Sequence, residues 1–244
     1  MERKLLCLAL LLALVASGAF ARGIFDSEAD FLWELYYDGN SVIITGYTGS
    51  NADIRIPSRI QGLPVTVIGE LAFVGNWLES VTIPDSVIYI GDDAFAENRL
   101  ESVTIPDSVT VIGAGAFWGN HLTSVTIGAS VIEIREDAFA NNRLESVIIP
   151  DSVRYIGQDA FVLNLLESIV IGSGVTRIGS GAFAYNHPLT SVSIGGNVAI
   201  SRSGFSRYSD LFGASFADFY ESQGRRAGTY THSGGVWSAE FRYE

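Results

Sequence analysis

The chain has 244 residues, a formal net charge of −12, 48% hydrophobic residues and a single cysteine. The excess of negative charge argues against nucleic acid and anionic membrane surfaces as partners. One cysteine excludes a disulfide framework, so packing must hold the fold together, and the chain is long enough for that.

The first 21 residues have the pattern of an export signal. A charged start at residues 1–4 precedes an apolar run at 5–15, and residues 19–21 form a small-x-small cleavage site. The run is too short for a membrane span, and no second run of about 20 apolar residues follows. The alternative is a lipoprotein signal, which would require small residues just before Cys7. Lys4, Leu5 and Leu6 stand there instead. We therefore expect export to the periplasm, the outer surface or the medium.

Residues 22–53 are predicted to form an N-terminal β cap. Side chains alternate along Phe31, Trp33, Leu35 and Tyr37, the sequence Asp-Gly-Asn follows, and alternation resumes at Val42. This pattern predicts a hairpin with a turn of two or three residues. A stacked array needs such a cap, because its first repeat exposes a sheet edge and an uncovered core.

One phrase of 22 residues recurs through residues 54–200, as in LESVTIPDSVIYIGDDAFAENR at 78–99. Its isoleucine and its phenylalanine keep that spacing in six copies, at Ile68, Ile90, Ile112, Ile134, Ile156 and Ile178 and at Phe73, Phe95, Phe117, Phe139, Phe161 and Phe183. A fixed period headed by Leu-x-x-Val-x-Ile indicates a leucine-rich-repeat solenoid. The first copy carries five extra residues within SRIQGLPV, which we place in a turn at the rim.

Each coil of this β-rich solenoid is predicted to carry two short strands. Segments such as SVTIP and VTVIG alternate with period two, and stacked coils would form parallel ladders about 4.8 Å apart. The Ala-Phe pair of each copy predicts a tight 3₁₀-like turn, with the phenylalanine filling the widest part of the core.

Other repeated polar residues favour structural roles over chemistry. An asparagine three residues after each phenylalanine is expected to hydrogen-bond backbone groups of its own and neighbouring turns. Asp85, Asp107 and Asp151 recur in Pro-Asp-Ser turns. Calcium binding is one interpretation of this column, and an aspartate bonded to its own backbone is the other, which we favour. We predict no metal site and no cofactor.

The copies resemble the leucine-rich repeats of bacterial BspA-like surface proteins. The unit of that family is Leu-x-x-Ile-x-Ile-Pro-x-x-Val-x-x-Ile-Gly-x-x-Ala-Phe-x-x-Cys or Asn, and the resemblance covers residues 31–200. Here Gly128 and Gly172 replace proline, Arg135 replaces a glycine, and asparagine stands where many members have cysteine. Family members are associated with surface adhesion and protein binding, so the resemblance implies a binding role without naming a ligand.

The outward residues of the first strand are the natural recognition face of a solenoid, because they form a continuous surface on a rigid support. They begin as a threonine stripe of Thr82, Thr104 and Thr126 and continue as Ile148, Val170 and Ser193. Two columns of residues in the turn just before this strand, at the rim of the solenoid, also change from polar to apolar side chains at the same height in the stack. We name the resulting set the apolar patch, which comprises Ile148, Val170, Leu163, Leu165 and Tyr185, and predict that it is exposed and receives a partner's hydrophobic group. The alternative is that the C-terminal tail covers it.

The 22-residue register is lost after residue 200, and residues 201–244 are predicted to form a C-terminal cap. Leu211, Phe212, Phe216, Phe219 and Tyr220 have near-helical spacing. Ser209 or Asp210 is a candidate N-cap, and Gly224 a stop. A hairpin follows, which turns at Gly234-Gly235 between Tyr230 and Trp237.

No pattern of an enzyme emerges from the chain. Its three histidines, His121, His187 and His232, match no zinc spacing and no nucleophile arrangement. We therefore expect an adhesin-like protein that binds another protein, on a host or a cell surface, through the first-strand face. The alternative is binding of a small hydrophobic or carbohydrate ligand in a surface pocket, and a third possibility is an assembly subunit that uses an open sheet edge.

Overall fold

The computed structural model describes residues 26–186, 189–201, 216–234 and 236–241. The predicted export signal lies outside these residues, and so do His187, Ser209, Asp210, Leu211, Phe212 and Gly235. Within the described ranges, no helix has the length and apolar character needed to cross a membrane.

Each coil contributes two strands to the solenoid, and the labels used here follow chain order. The first strands are β3 (Asp53–Arg55), β6 (Ser80–Thr82), β8 (Ser102–Thr104), β10 (Ser124–Thr126), β12 (Ser146–Ile149), β14 (Ser168–Ile171) and β16 (Ser191–Ile194). The second strands are β5 (Leu63–Ile68), β7 (Tyr89–Ile90), β9 (Val111–Ile112), β11 (Glu133–Ile134), β13 (Tyr155–Ile156), β15 (Arg177–Ile178) and β17 (Ala199–Ile200). The remaining elements are a 3₁₀ turn (Glu28–Asp30), β1 (Phe31–Leu35), β2 (Val42–Tyr47), β4 (Arg59–Ile60), α1 (Phe216–Ser222), β18 (Gly228–Ser233) and β19 (Val236–Phe241).

The predicted parallel solenoid is confirmed. The second strands pair in parallel and in register from β5 to β17, so that Ile134 lies opposite Ile156, one repeat later. The first strands form three hydrogen-bonded groups, β3–β6, β8–β10 and β12–β14–β16. A parallel ladder satisfies its backbone groups only while each coil repeats the same register, which explains why the period is so strictly kept.

The six repeated phenylalanines form one internal spine. Neighbouring rings from Phe73 to Phe183 stack with centroids 5.0–5.3 Å apart and planes inclined by 4–12°. All six side chains are buried, each with a buried alanine just before it. The turns that carry them are closed by hydrogen bonds spanning three residues, such as that from Ala94 N to Gly91 O. The core of the solenoid is therefore built from the same side chains in every coil.

The repeated asparagines clamp successive coils together, as expected. Asn98 Nδ2 donates to the carbonyl of Phe95 in its own coil, at 3.0 Å, and to that of Phe73 in the preceding coil, at 2.7 Å. Its Oδ1 accepts from the Leu78 N–H at 2.9 Å. The same bonds recur at the later members, Asn120, Asn142, Asn164 and Asn186. These buried amides are thus fully paired, as burial requires.

The N-terminal hairpin extends the second-strand sheet. Strand β1 pairs antiparallel with β2, and β2 pairs in parallel with β5. The loop between β1 and β2 spans residues 36–41, so the predicted turn of two or three residues is wrong. The reason is local: the Asp38 carboxylate accepts hydrogen bonds from the N–H of Asn40 and from the N–H and hydroxyl of Ser41, which holds a wider loop that includes Tyr37.

The five inserted residues of the first copy form a small hairpin of their own. Strand β4 pairs antiparallel with the start of β5 through a two-residue turn at Gln61 and Gly62. Both turn residues have positive φ, +50° and +81°, the geometry that suits a tight hairpin.

The C-terminal cap extends the other sheet. Strand β18 pairs antiparallel with β16 and with β19, and α1 covers the end of the core. Tyr220 on α1 donates its hydroxyl hydrogen to Gly195 O at 2.7 Å. Gly224, predicted as the helix stop, follows the end of α1 with a φ of +70°. The two caps therefore close opposite ends of the solenoid on different sheets.

Candidate binding surface

The outward residues of the first strands form one column on the surface. In β12, Val147 and Ile149 point into the core while Ile148 between them is exposed, because side chains alternate along a strand. Ile148 lies directly opposite Val170 of β14. The residues of the threonine stripe occupy the same column lower in the stack and are also exposed.

Ser193 continues the column in register opposite Val170, but the expectation that it faces solvent there is wrong. Ser193 of β16 lies opposite Thr229 of β18 and is 8% exposed. This position is therefore buried, while the strands before it keep their outward residues open.

The side chains of the apolar patch are all exposed, by fractions from 37% to 68%. Two belong to the first-strand column, and the other three lie on the rim, where Leu163 and Tyr185 occupy equivalent positions of successive coils. The Leu163 N–H donates to Ala184 O, so these two turns are joined by their backbones. The described part of the C-terminal cap leaves the patch accessible.

The backbone at the rim adds an observation that the sequence did not yield. Six equivalent residues have left-handed backbone, with φ between +54° and +66°: Gly75, Glu97, Gly119, Asn141, Leu163 and Tyr185. Glycine and asparagine adopt this conformation readily, whereas other residues lose about 1–2 kcal/mol. Leu163 and Tyr185 thus keep large exposed side chains at positions that favour glycine. Glu97 at the equivalent position, and the exposed Leu71 and Trp77 in other turns, share this backbone, so such strain is not confined to the patch. Aligning these six positions and noticing Gly and Asn among them would have revealed the requirement.

Carboxylates border the apolar patch. Glu145 and Glu167 are exposed and directly precede β12 and β14, and they are joined through the bond from Glu167 N to Glu145 O. Along the chain Glu167 lies between Leu165 on the rim and Val170 on the strand. The patch therefore has two carboxylates beside it, and the exposed Arg143 lies one repeat below Leu165 on the rim.

A groove of about 410 Å³ lies elsewhere, beside the second strands β13, β15 and β17. Its lining includes Glu136, Gln158 and Arg177 and none of the apolar-patch residues. The Arg177 guanidinium lies 5.4 Å from the centre of the Tyr155 ring and covers the one aromatic face of the groove. Burial, followed by the nearby charge of Glu136, raises the pKa of the Tyr155 hydroxyl.

The repeated aspartates bond to the next coil, so the preferred expectation that they bond to their own backbone is wrong at two of the three positions. Asp107 accepts from the Ala129 N–H at 2.7 Å, and Asp151 accepts from the N–H and hydroxyl of Ser173 at 2.6 and 3.0 Å. Those bonds hold the pKa of Asp151 below its usual range. Among the described residues, no group of three His, Cys, Asp or Glu side chains could hold a metal ion.

Comparison with known proteins gives a family and several structural neighbours. The family described as "BspA type Leucine rich repeat region" matches residues 88–212 in six copies. The T. pallidum leucine-rich-repeat protein TpLRR is 24% identical, with a TM-score of 0.51 over 72% of this chain and 85% of that chain. This likeness supports the solenoid fold.

Two further structures are similar to parts of the chain. A leucine-rich cell surface protein from Faecalibacterium prausnitzii is 23% identical, with a TM-score of 0.37 over 75% of this chain and 73% of that chain. The pneumococcal vaccine antigen PcpA is 17% identical, with a TM-score of 0.47 over 72% and 71%. No curated protein matches the chain.

Proposed function

Because the chain belongs to the family of BspA type leucine-rich-repeat proteins, we propose that it is an exported, non-enzymatic protein that binds another protein through the outer face of its repeats. The apolar patch is the centre of this surface, and the threonine stripe is its polar continuation. Adhesion is the biological role that fits such a surface.

The observation that carries the proposal is the exposure of the apolar patch. Five large apolar side chains remain open to water on neighbouring coils, although the interior is already filled by the repeated side chains. Clustered exposed apolar surface is typical of interaction sites. The left-handed backbone at Leu163 and Tyr185 supports the same conclusion, since the fold alone favours glycine there.

The border of the patch suggests the chemistry of the partner. Glu145 and Glu167 lie beside the patch, and the whole chain has a net charge of −12. A partner with an apolar anchor surrounded by Lys or Arg would meet both features, and opposite charges at the rim of an interface speed association. Such binding should weaken as salt concentration rises.

A small hydrophobic ligand is a weaker candidate, because such ligands occupy concave sites that bury most of their surface. The apolar patch is open, with Ile148 exposed by 68%. The groove beside β13 has a mixed lining of charged, polar and aliphatic groups, and Arg177 occupies the Tyr155 ring face that a sugar would stack on. Neither site favours the second function.

A comparative pull-down tests the proposal. The bait is the exported form of the protein, run beside an Ile148→Asp, Val170→Asp variant and a control with aspartate at two exposed isoleucines outside the first-strand face, Ile88→Asp, Ile132→Asp. We expect at least one protein to be captured by the wild type and the control and lost with the patch variant. Capture of the same proteins by all three baits would contradict the proposal.

A further inference from the structure

Each sheet of the solenoid has one edge at each end of the stack. The second-strand sheet ends at β1 and at β17, and the three groups of first strands end, at the two ends of the stack, at β3 and at β19. A free edge presents unpaired N–H and C=O groups, and proteins usually prevent such edges from pairing with other chains. The four edges differ in how they are protected.

Three of these edges are blunted. The Asp26 carboxylate accepts the Arg55 N–H of β3, and the Asp26 N–H donates to Arg55 O, so a side chain and a main-chain group occupy that edge. Strand β1 has a register shift between Leu32 and Trp33, and such bulges interrupt further pairing. Strand β17 has two residues and therefore offers few free main-chain groups to a partner strand.

Strand β19 has none of these protections. It pairs with β18 over six residues without a register shift, contains no proline and carries a single charge, at Glu240. Its inner side chains are anchored: Trp237 packs against Phe216 at 5.1 Å between ring centres, and Arg226 lies 3.8 Å from the centre of the Phe241 ring. A long, regular edge is therefore held rigidly at the end of the first-strand sheet.

The hydrogen bonds of β18 determine which groups of β19 are free. The His232 N–H donates to Thr190 O on the β16 side, so His232, Tyr230 and Gly228 bond toward β16, and the residues between them bond toward β19. The partners of those intervening residues on β19 are Val236, Ser238 and Glu240. The main-chain groups of Trp237, Ala239 and Phe241 consequently point to the open edge.

We propose that the β19 edge pairs antiparallel with the β19 edge of a second copy of this chain, which joins two first-strand sheets into one. The three free residues are spaced symmetrically about Ala239, so a two-fold axis there pairs Ala239 with its counterpart and Trp237 with Phe241 of the second copy. The smallest of the three side chains lies at the centre, and aromatic side chains meet on both sides.

The same register avoids a clash of charges. Ser238 lies opposite Glu240 of the second copy, so the two glutamates are not paired directly. A second copy is favoured over a foreign peptide because the set of free groups is self-complementary. The net charge of −12 on each copy opposes association, and added salt should therefore strengthen the dimer.

Sedimentation of the full chain tests the dimer. We expect the mass to rise from one chain toward two between about 1 µM and about 1 mM, the range in which weak complexes dissociate. Ala239→Pro removes a free N–H, which an edge strand tolerates, and should leave a folded monomer, checked by near-UV circular dichroism. Ala239→Ser keeps the N–H and should still dimerise. A wild type that stays monomeric throughout this range would overturn the proposal.

Disulfide trapping tests the register independently of stability. In a chain with Cys7→Ser, Ser238→Cys and Glu240→Cys are made as separate variants with different tags. Directly opposite residues in such a pair are close enough for a disulfide, whereas diagonal ones are too far apart. Oxidation should link the two variants in a mixture and leave each alone unlinked. Links within either variant alone, or none in the mixture, would contradict the proposed pairing.

Discussion

The lower coils of the solenoid, residues 78–142, and the upper coils, residues 144–186, have the same interior and different exteriors. Phe95 and Phe117 stack at 5.2 Å between ring centres in the lower part, and Phe139 and Phe161 do so at 5.2 Å across the boundary. On the outside, the threonine stripe gives way to Ile148 and Val170. The fold therefore constrains the interior of each coil and leaves its outer columns free to differ.

The strands and turns differ between the same two regions. The first strands have three residues in the lower coils and four in β12 and β14, which belong to a continuous hydrogen-bonded group. The left-handed rim position carries Glu97, Gly119 and Asn141 below and the large apolar side chains of Leu163 and Tyr185 above. The upper coils therefore combine longer, continuously paired strands with the large exposed side chains of Leu163 and Tyr185. A binding surface in the upper coils requires both features.

The largest expected effect tests whether the two interiors are equivalent. Phe117→Ala in the lower coils and Phe161→Ala in the upper coils should each lower the free energy of unfolding by about 3–5 kcal/mol, because each removes a fully buried ring from the spine. Chemical denaturation measures both. Costs that differ by more than about 2 kcal/mol would show that the interiors are not equivalent.

A somewhat smaller cost is expected for the asparagine clamps. Asn120→Ala would leave the buried Leu100 N–H without its acceptor, and Asn164→Ala would do the same to Leu144. An unsatisfied buried donor costs about 1–3 kcal/mol, and we expect that loss at both sites. Hydrogen exchange of the two leucine amides measures this loss. Unchanged protection of these amides would contradict the prediction.

Exchanging the residues at the left-handed rim position tests whether the two regions differ in backbone strain. Leu163→Asn should raise the free energy of unfolding by about 1 kcal/mol, and Asn141→Leu should lower it by a similar amount, because asparagine tolerates left-handed backbone better than leucine. Thermal unfolding of both variants measures the effect. A loss of stability in the Leu163→Asn variant would argue against strain at the patch.

The smallest effects concern two aspartates whose pKa values move in opposite directions. Burial raises the pKa of Asp93, with help from the charges of Asp92 and Glu97, whereas the Ser173 N–H and hydroxyl lower that of Asp151. A raised pKa makes the charged form a cost above the folded pKa, and this cost vanishes below the unfolded value of about 3.9. Asp93→Asn should thus stabilise the protein at pH 7 and have no effect at low pH.

The ionisation of Asp151 affects stability with the opposite sign. Its lowered pKa contributes stability above the unfolded value, and that contribution disappears as the pH falls through the folded pKa. Asp151→Asn should therefore destabilise the protein at pH 7 and lose its effect in acid. Stability curves of both variants between neutral and acid pH would contradict this account if the two differences had the same sign.

Much of the fold could be predicted from the period alone, because a repeat of 22 residues places Phe95 and Phe117 at equivalent positions of stacked coils. The hairpin of the N-terminal cap was also predictable, but its loop was not, because Asp38 widens it through bonds that no turn pattern encodes. The aspartate bonds were predicted wrongly at Asp107 and Asp151, since the distance between stacked turns is a property of the assembled coils.

The exposure of the apolar patch could be anticipated from alternation along β12 and β14. The burial of Ser193, which continues the same column, could not, because alternation along β16 predicts an outward side chain there. The open edge of β19 is likewise a product of the folded chain, whereas Gly and Asn at the equivalent rim positions already indicated left-handed backbone at Leu163. Periodicity thus predicted the outward columns. The structure was needed to show which of their residues are exposed and which strand edge is open.

The central claim is that the upper outer columns exist for a partner. Its most direct measurement is the affinity, by calorimetry, of a protein captured in the pull-down for an Ile148→Thr, Val170→Thr variant, which gives the upper coils the outer residues of the lower ones. We predict that Kd rises at least about tenfold, since each 1.4 kcal/mol of lost apolar contact is worth that factor. An unchanged Kd, with the fold intact, would contradict the account.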